Sequence, residues 1–218
     1  NDNNSSFTDN YLNEERIRST SDIRIMNLLK IDVESWIKKE TKKAHNLGEK
    51  RSNQLYLNIL HFFKNDEKEP ITELIKELDY IRVHAENLNQ YDLLPDLDIE
   101  PFIDEINTMD ISSSNFNSSA KAVQYYFRSI SEKIQALMPT YNIINNFVTC
   151  INNFFVGKKL FYNDESGFYI LSQNDKIINF EELSSGEMQL LIILLNALQA
   201  NKKDSASMMT IHAYIDGE

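Results

Sequence analysis

Glycine and proline are scarce in this chain, with five and four copies among 218 residues. An all-β sandwich or barrel needs many tight turns, and these two residues are the usual means of making them. Long helices need neither. The scarcity therefore predicts an α/β fold that is mostly α, and the 42% hydrophobic content is sufficient for a globular core.

The same composition excludes several classes of function. Neither G-x-x-x-x-G-K-[ST] nor G-x-G-x-x-G occurs, so the chain has no phosphate loop of its own. Its single cysteine, Cys150, excludes a disulfide framework, and no apolar run is long enough to span a bilayer. We therefore expect a cytoplasmic protein without a membrane partner. The formal net charge of −11 confines any nucleic-acid contact to a local patch.

Hydrophobic periodicity divides the chain into three parts. Residues 1–20 are rich in Asn, Ser and Asp, which predicts a flexible or linker segment. In residues 21–154 apolar side chains recur every three or four positions, which predicts a series of separate helices. We expect Pro70 to precede one helix and Pro139 to break or restart another.

The period changes from Phe155 onward. Two β-type runs, Lys159–Tyr162 and Phe168–Leu171, flank a turn-forming segment with one glycine and predict a β-hairpin. A third short run of the same type covers Ile177–Phe180. The segment 155–218 is therefore expected to be a compact block of short strands and a helix.

The segment Leu183–Gln189, which reads L-S-S-G-E-M-Q, carries the most chemical information. It places two hydroxyls and a glycine at the start of a predicted helix, Gly186–Ala200, whose first turns are apolar on every face and are therefore expected to be buried. Helix N-termini present unpaired N–H groups and partial positive charge, so they bind anionic oxygen. We expect an anion site there. The spacing of Ser184 and Glu187 also fits an ordinary S-x-x-E capping box.

Six of these seven positions resemble the signature motif of ABC-type ATPases, in the form L-S-S-G-E-x-Q found in the RecF, SMC and OLD-like branch and in bacterial antiphage ATPases such as those of Septu systems. Met188 departs from it, since Lys or Arg is more usual there. In such families the loop closes on the γ-phosphate of ATP held by a partner subunit, with a hydroxyl from the Ser184 position and a backbone N–H from the Gly186 position. The resemblance implies a nucleotide-binding role in trans for five residues: Ser184, Ser185, Gly186, Glu187 and Gln189.

The resemblance also implies a buried Walker B strand, which ends in an aspartate for Mg²⁺ and a glutamate that polarises the attacking water. Met208–Ile215 occupies the place of this strand, so Asp216 is the candidate metal ligand and Glu218 the candidate catalytic residue. Gly217 stands where the glutamate normally follows, and His212 interrupts the apolar run. An acidic turn after an edge strand is the alternative interpretation.

The resemblance covers roughly Phe155 to Glu218. It implies that residues 155–218 form part of an ATPase C-lobe and that residues 21–154 form a helical insertion or lid. The phosphate loop is expected upstream of Asn1, so the chain alone is expected to be an inactive part of an ATP-hydrolysing protein that uses ATP and Mg²⁺. The implied partners are a second copy that forms a homodimer through the ATPase heads, DNA, and a nuclease subunit, in DNA maintenance or antiphage defence.

One basic cluster stands out against the acidic background. Between residues 38 and 51 six cations face two carboxylates, which gives a net charge of +4. A solvated helix face and a contact with the DNA backbone both fit this pattern. The candidate DNA contacts are Lys38, Lys39, Lys42, Lys43, Lys50 and Arg51.

A second functional hypothesis stands beside the ATPase. The chain would then be a non-catalytic helical module for protein interaction, and S-S-G-E would only cap a helix. A phosphate loop encoded upstream and a switch histidine downstream would favour the ATPase over this module.

Overall fold

The computed structural model describes residues 3–62, 71–95, 97, 101, 104 and 116–215, with side chains in 20–53, 75–95, 97, 101, 104 and 122–200. Its long helices are α1 Asn3–Phe62, α2 Ile71–Asn89, α3 Phe116–Asn152 and α4 Ser185–Ile215. Three strands, β1 Lys158–Asn163, β2 Gly167–Ser172 and β3 Ile177–Ile178, form a small antiparallel sheet in the order β1-β2-β3. The expectation of a mostly helical chain with a little β-structure is confirmed.

Helix α1 is longer than the sequence pattern predicted. Residues 3–20, within the predicted flexible or linker segment 1–20, have helical backbone, and the same helix continues through residues 21–62, where separate helices were expected. The cause is the absence of a helix breaker, since the first 69 residues contain no proline and only Gly48 as a glycine. Asn and Ser disfavour a helix by less than about 1 kcal/mol each, too little to end it.

Helix α3 also continues where a break was expected. Pro139 lies inside Phe116–Asn152 on an exposed side of the helix, so the prediction that it breaks or restarts the helix is wrong. Proline removes one helical hydrogen bond, and at an exposed position water can satisfy the released carbonyl. The buried side chains of Leu137 and Thr140 on either side hold the helix in place. Helix α2, by contrast, begins directly after Pro70, as predicted.

The predicted hairpin is present as β1 and β2, and the third run contributes the two residues of β3. Strands β2 and β3 pair so that Ile170 lies opposite Ile178 and Leu171 lies opposite Ile177. Strand alternation turns Leu160, Tyr162, Phe168 and Ile170 inward, where all four are buried.

Gly167 begins β2 with φ of +77°, and a Cβ at this position would clash with the carboxylate of Glu34 on α1. That carboxylate accepts the backbone N–H of Phe168 at 2.6 Å and pairs with Lys30 at 3.1 Å. The missing side chain of Gly167 therefore makes room for a contact between the hairpin and α1.

The chain divides into two compact units. The first contains residues 1–38, 145–162 and 166–218, and the second contains residues 39–144 and 163–165. The divisions fall inside α1, inside α3 and around the turn between β1 and β2, whereas the sequence pattern placed a boundary between residues 154 and 155. The first unit holds the sheet, α4 and the signature-like segment, and its core includes the edge-on ring contact of Phe147 and Phe168, with centroids 5.0 Å apart.

Candidate functional site

The signature-like segment connects β3 to α4. Phe180–Glu182 forms a short 3-10 helix, and Glu182 Oε1 accepts the backbone N–H of Asn179 at 3.1 Å. Leu183 then buries its side chain, and α4 begins two residues later. Because the first N–H groups of a helix have no acceptor within it, this helix start presents amides to an outside partner. Its exposed residues are Ser184, Ser185 and Gly186.

Ser184 and Glu187 form the capping box that their spacing allows. Glu187 Oε2 accepts two hydrogen bonds from Ser184, one from the backbone N–H at 2.9 Å and one from the hydroxyl at 2.8 Å. In return, the backbone N–H of Glu187 donates to Ser184 Oγ at 3.4 Å. The box orders the start of α4, and Ser185 and Gly186 have no part in it.

Lys158, at the start of β1, binds the same carboxylate oxygen. Its Nζ lies 2.9 Å from Glu187 Oε2, and the two side chains are only 17% and 18% exposed. Burial raises the pKa of the Glu187 carboxyl, but the hydrogen bonds from Lys158 and Ser184 and the charge of Lys158 outweigh burial, so the pKa is lowered overall. Glu187 is therefore ionised at neutral pH, and Lys158 offsets its charge.

Gly186 differs from other described glycines because the fold gives no reason for it. A Cβ at Gly167 would meet Glu34, and a Cβ at Gly48 would lie 2.9 Å from the Cα of Lys133. At Gly186 a Cβ would meet nothing within 4 Å, and the backbone is not in the positive-φ region. Glycine in a helix costs about 0.5–1 kcal/mol relative to alanine. Neither packing nor backbone geometry accounts for that cost here.

Over residues 185–200, where the structure describes side chains, helix α4 is buried on one side. Its buried apolar residues follow helical spacing: Met188, Leu191 and Leu195. Ile193 on another side is 63% exposed, so the expectation that this apolar helix is buried on every face is wrong. Neighbouring elements of the first unit cover one side of the helix, and Gln199 Nε2 donates to Asp32 Oδ2 of α1 at 2.8 Å. Gln189, the last residue of the motif, is exposed.

The predicted Walker B strand is wrong, because Met208–Ile215 continues α4 as helical backbone. No glycine or proline lies between Gly186 and Gly217, so nothing in the sequence ends the helix earlier. An inner strand also needs hydrogen-bonded neighbours, and the described sheet consists of β1, β2 and β3 alone. Asp216 and Glu218, the candidate metal ligand and catalytic residue, lie outside the described residues.

The six residues of the basic cluster all lie on α1 and are exposed, namely Lys38, Lys39, Lys42, Lys43, Lys50 and Arg51. Carboxylates lie close to Lys43 and Arg51: Lys43 Nζ is 2.7 Å from Glu40, and Arg51 is 3.5 Å from Glu132. A solvated helix face and a DNA contact both require exposed side chains, so the exposure of the cluster does not distinguish the two interpretations.

Sequence reasoning missed Lys158. It lies 29 positions before Glu187, and no motif or periodic spacing links the two. The hairpin brings them together, and the signal that could have indicated the pairing is chemical: a carboxylate at the start of an apolar helix needs a cation nearby when it is partly buried.

Comparison with known proteins adds no relative: no protein-family model matches the chain, and no curated protein matches it. Within the described ranges, no helix is long and apolar enough to cross a membrane. The same residues contain no group of three or more His, Cys, Asp or Glu side chains placed to hold a metal ion. The functional interpretation therefore depends on the geometry of the α4 start and on the motif resemblance.

Proposed function

We propose that this chain supplies the signature motif of an ABC-type ATPase, and that its S-S-G segment closes on the terminal phosphate of ATP bound by a partner subunit. The observation that carries the proposal is Gly186. It is exposed in the first turn of a helix, in a conformation and a space that would accept a side chain. A bare backbone at this position is useful where another molecule approaches closely.

The electrostatics of the helix start support phosphate as that molecule. The amides of Ser185 and Gly186 stand at the positive end of the α4 dipole, where anionic oxygen is stabilised. The carboxylate in the same helical turn, Glu187, is paired with Lys158 at 2.9 Å. The residues that would contact the phosphate are Ser184, Ser185 and Gly186.

The capping box is compatible with this role. The hydroxyl of Ser184 donates to Glu187 in the structure, and a change of the χ1 rotamer would turn it toward a ligand. The backbone N–H of Ser184 would still hold the Glu187 carboxylate through its own 2.9 Å hydrogen bond. The cap would thus order the loop before ATP arrives.

The test is ATP-dependent association of the full-length protein that carries this chain. Light scattering after gel filtration, with Mg²⁺ and a non-hydrolysable ATP analogue, should show a dimer that Ser184→Arg abolishes by obstructing the phosphate. Asn174→Arg, in an exposed turn, is the matched control and should leave the dimer intact. A nucleotide-dependent dimer that survives Ser184→Arg would contradict the proposal.

The formed capping box also supports the second candidate, a helical interaction module, because the cap accounts for Ser184 and Glu187 without any ligand. Under that hypothesis association is independent of nucleotide, and Ser184→Arg lowers only the stability of the chain. The biological setting of DNA maintenance or antiphage defence, with a nuclease as further partner, is supported by the motif resemblance alone.

A further inference from the structure

We propose that Lys158 is a positioning residue of the signature segment: it acts through Glu187 to hold Ser184 in place and to offset a negative charge that would repel phosphate there. The inference rests on the proposed function and extends it to a residue outside the motif. Lys158 contacts the motif through the carboxylate of Glu187.

Three donors converge on one oxygen atom. Glu187 Oε2 accepts from the Lys158 ammonium at 2.9 Å, from the Ser184 backbone N–H at 2.9 Å and from the Ser184 hydroxyl at 2.8 Å. Without the ammonium, the carboxylate keeps only the two bonds from Ser184. Because its side chain is 18% exposed, water replaces the missing cation poorly.

The charge of Glu187 matters because of where it lies. Its Oε2 is in hydrogen-bond contact with the same hydroxyl that the proposal assigns to the phosphate. An unpaired carboxylate there would repel an anion across a few ångströms, in a site that is only partly screened by water. With Lys158 present, the first turn of α4 is left with the positive character of its amides.

The neighbouring residue offers a matched control. Lys159 is the next residue of β1, and successive side chains of a strand point to opposite faces. Its side chain is exposed, whereas that of Lys158 is partly buried against Glu187. Lys159→Met changes the net charge and the composition of β1 in the same way as Lys158→Met, but it removes no contact of the Glu187 carboxylate.

The first experiment uses the chain alone. The Ser184 amide resonance, followed by ¹⁵N NMR during an acid titration, reports protonation of the carboxylate that it donates to. Lys158→Met should raise the midpoint by about one pH unit, because an opposite charge at contact distance lowers a carboxyl pKa by about one to three units. Lys158→Arg and Lys159→Met should leave the midpoint near that of the unaltered chain, and Glu187→Gln should remove the transition. An unchanged midpoint in Lys158→Met would overturn the inference.

The second experiment measures the ATP concentration for half-maximal dimerisation of the full-length protein. Lys158→Met should raise it roughly tenfold, because the unpaired carboxylate would repel the phosphate across a few ångströms. Lys158→Arg should restore it to within about twofold, since the charge and the contact return. In a Glu187→Gln background Lys158→Met should add nothing, because a positioning residue acts only through its partner.

The two proposals fail in different ways. If Ser184→Arg abolishes the dimer while Lys158→Met changes neither midpoint nor ATP requirement, the positioning role is wrong and the signature function stands. If Ser184→Arg leaves the dimer intact, the signature function is wrong, and with it the purpose assigned to Lys158. Should Lys158→Met not fold, Lys158→Gln keeps a hydrogen-bond donor without the charge and is expected to shift both measurements in the same direction.

Discussion

The carboxamide of Asn152 pairs with both backbone polar groups of Leu160: Nδ2 donates to the carbonyl at 2.9 Å, and Oδ1 accepts the N–H at 2.7 Å. Asn152 is the last residue of α3, and Leu160 lies on β1, an outer strand of the sheet. One side chain thus makes the pair of hydrogen bonds that a neighbouring strand would make. The contact covers part of a strand edge and ties the helix to the hairpin that carries Lys158.

Replacing Asn152 with alanine should destabilise the chain by about 1–3 kcal/mol, because both polar groups of the buried Leu160 lose their partner. Asn152→Asp keeps the acceptor and loses the donor, so its stability should fall between those of the unaltered chain and Asn152→Ala. Asn153→Ala is the control, since its side chain is exposed. Urea unfolding measures the difference, and equal losses at the two positions would contradict the expectation.

Gly186→Ala should separate stability from function. The chain should become more stable by up to about 1 kcal/mol, because alanine favours a helix and the added Cβ meets no atom within 4 Å. Nucleotide-dependent dimerisation should nevertheless weaken, since the methyl group stands where the phosphate is proposed to approach.

Gly157→Ala is the matched comparison for this prediction. A Cβ there also meets nothing within 4 Å, but φ is +74°. Alanine should therefore cost about 1 kcal/mol or more at that position. Thermal unfolding of both variants decides the point, and a stability loss in Gly186→Ala would mean that the fold needs this glycine after all.

The stability contribution of Glu187 should depend on pH in one direction. Its pKa is lowered in the folded chain from an ordinary value of 4.5, so the contribution is complete above that value and is lost as pH falls through the folded pKa. Glu187→Gln should therefore be less stable than the unaltered chain at pH 7, and the gap should close in acid. Glu181→Gln, at an exposed carboxylate, controls for general charge. A gap that stays constant with pH would refute the linkage.

The basic cluster on α1 can be tested as a DNA-binding surface. The double substitution Lys42→Glu and Lys43→Glu should weaken binding to duplex DNA and flatten its salt dependence, by about 0.9 in the log–log slope for each phosphate that the variant no longer neutralises. Lys176→Glu, an exposed residue in the turn before β3, should have little effect. Fluorescence anisotropy at several salt concentrations makes the measurement. Equal binding by both variants would leave the cluster as a solvated helix face.

Local patterns predicted the local features. The turn residues around Gly167 indicated the hairpin, Pro70 marked the start of α2, and S-x-x-E indicated the capping box of Ser184 and Glu187. Each of these depends on residues within a few positions of one another, so the sequence itself contains the cause.

The predictions that were wrong, and the contact that was missed, have a different origin. Whether Pro139 ends a helix depends on the buried residues around it, and whether an apolar segment such as Met208–Ile215 becomes a strand depends on the availability of neighbouring strands. The pairing of Lys158 with Glu187 depends on how a hairpin lies against a helix. These are tertiary causes, and periodicity does not report them.

Glu34 and Gly167 show how a tertiary contact restricts two codons that are far apart in a gene. A side chain at position 167 would displace the carboxylate that accepts the Phe168 amide, 134 positions away along the chain. A residue at position 34 without a suitable acceptor would leave that amide unpaired. The codon for residue 167 is therefore restricted by its own φ of +77° and by a side chain encoded far upstream, and the codon for residue 34 is restricted to side chains that can accept the Phe168 amide.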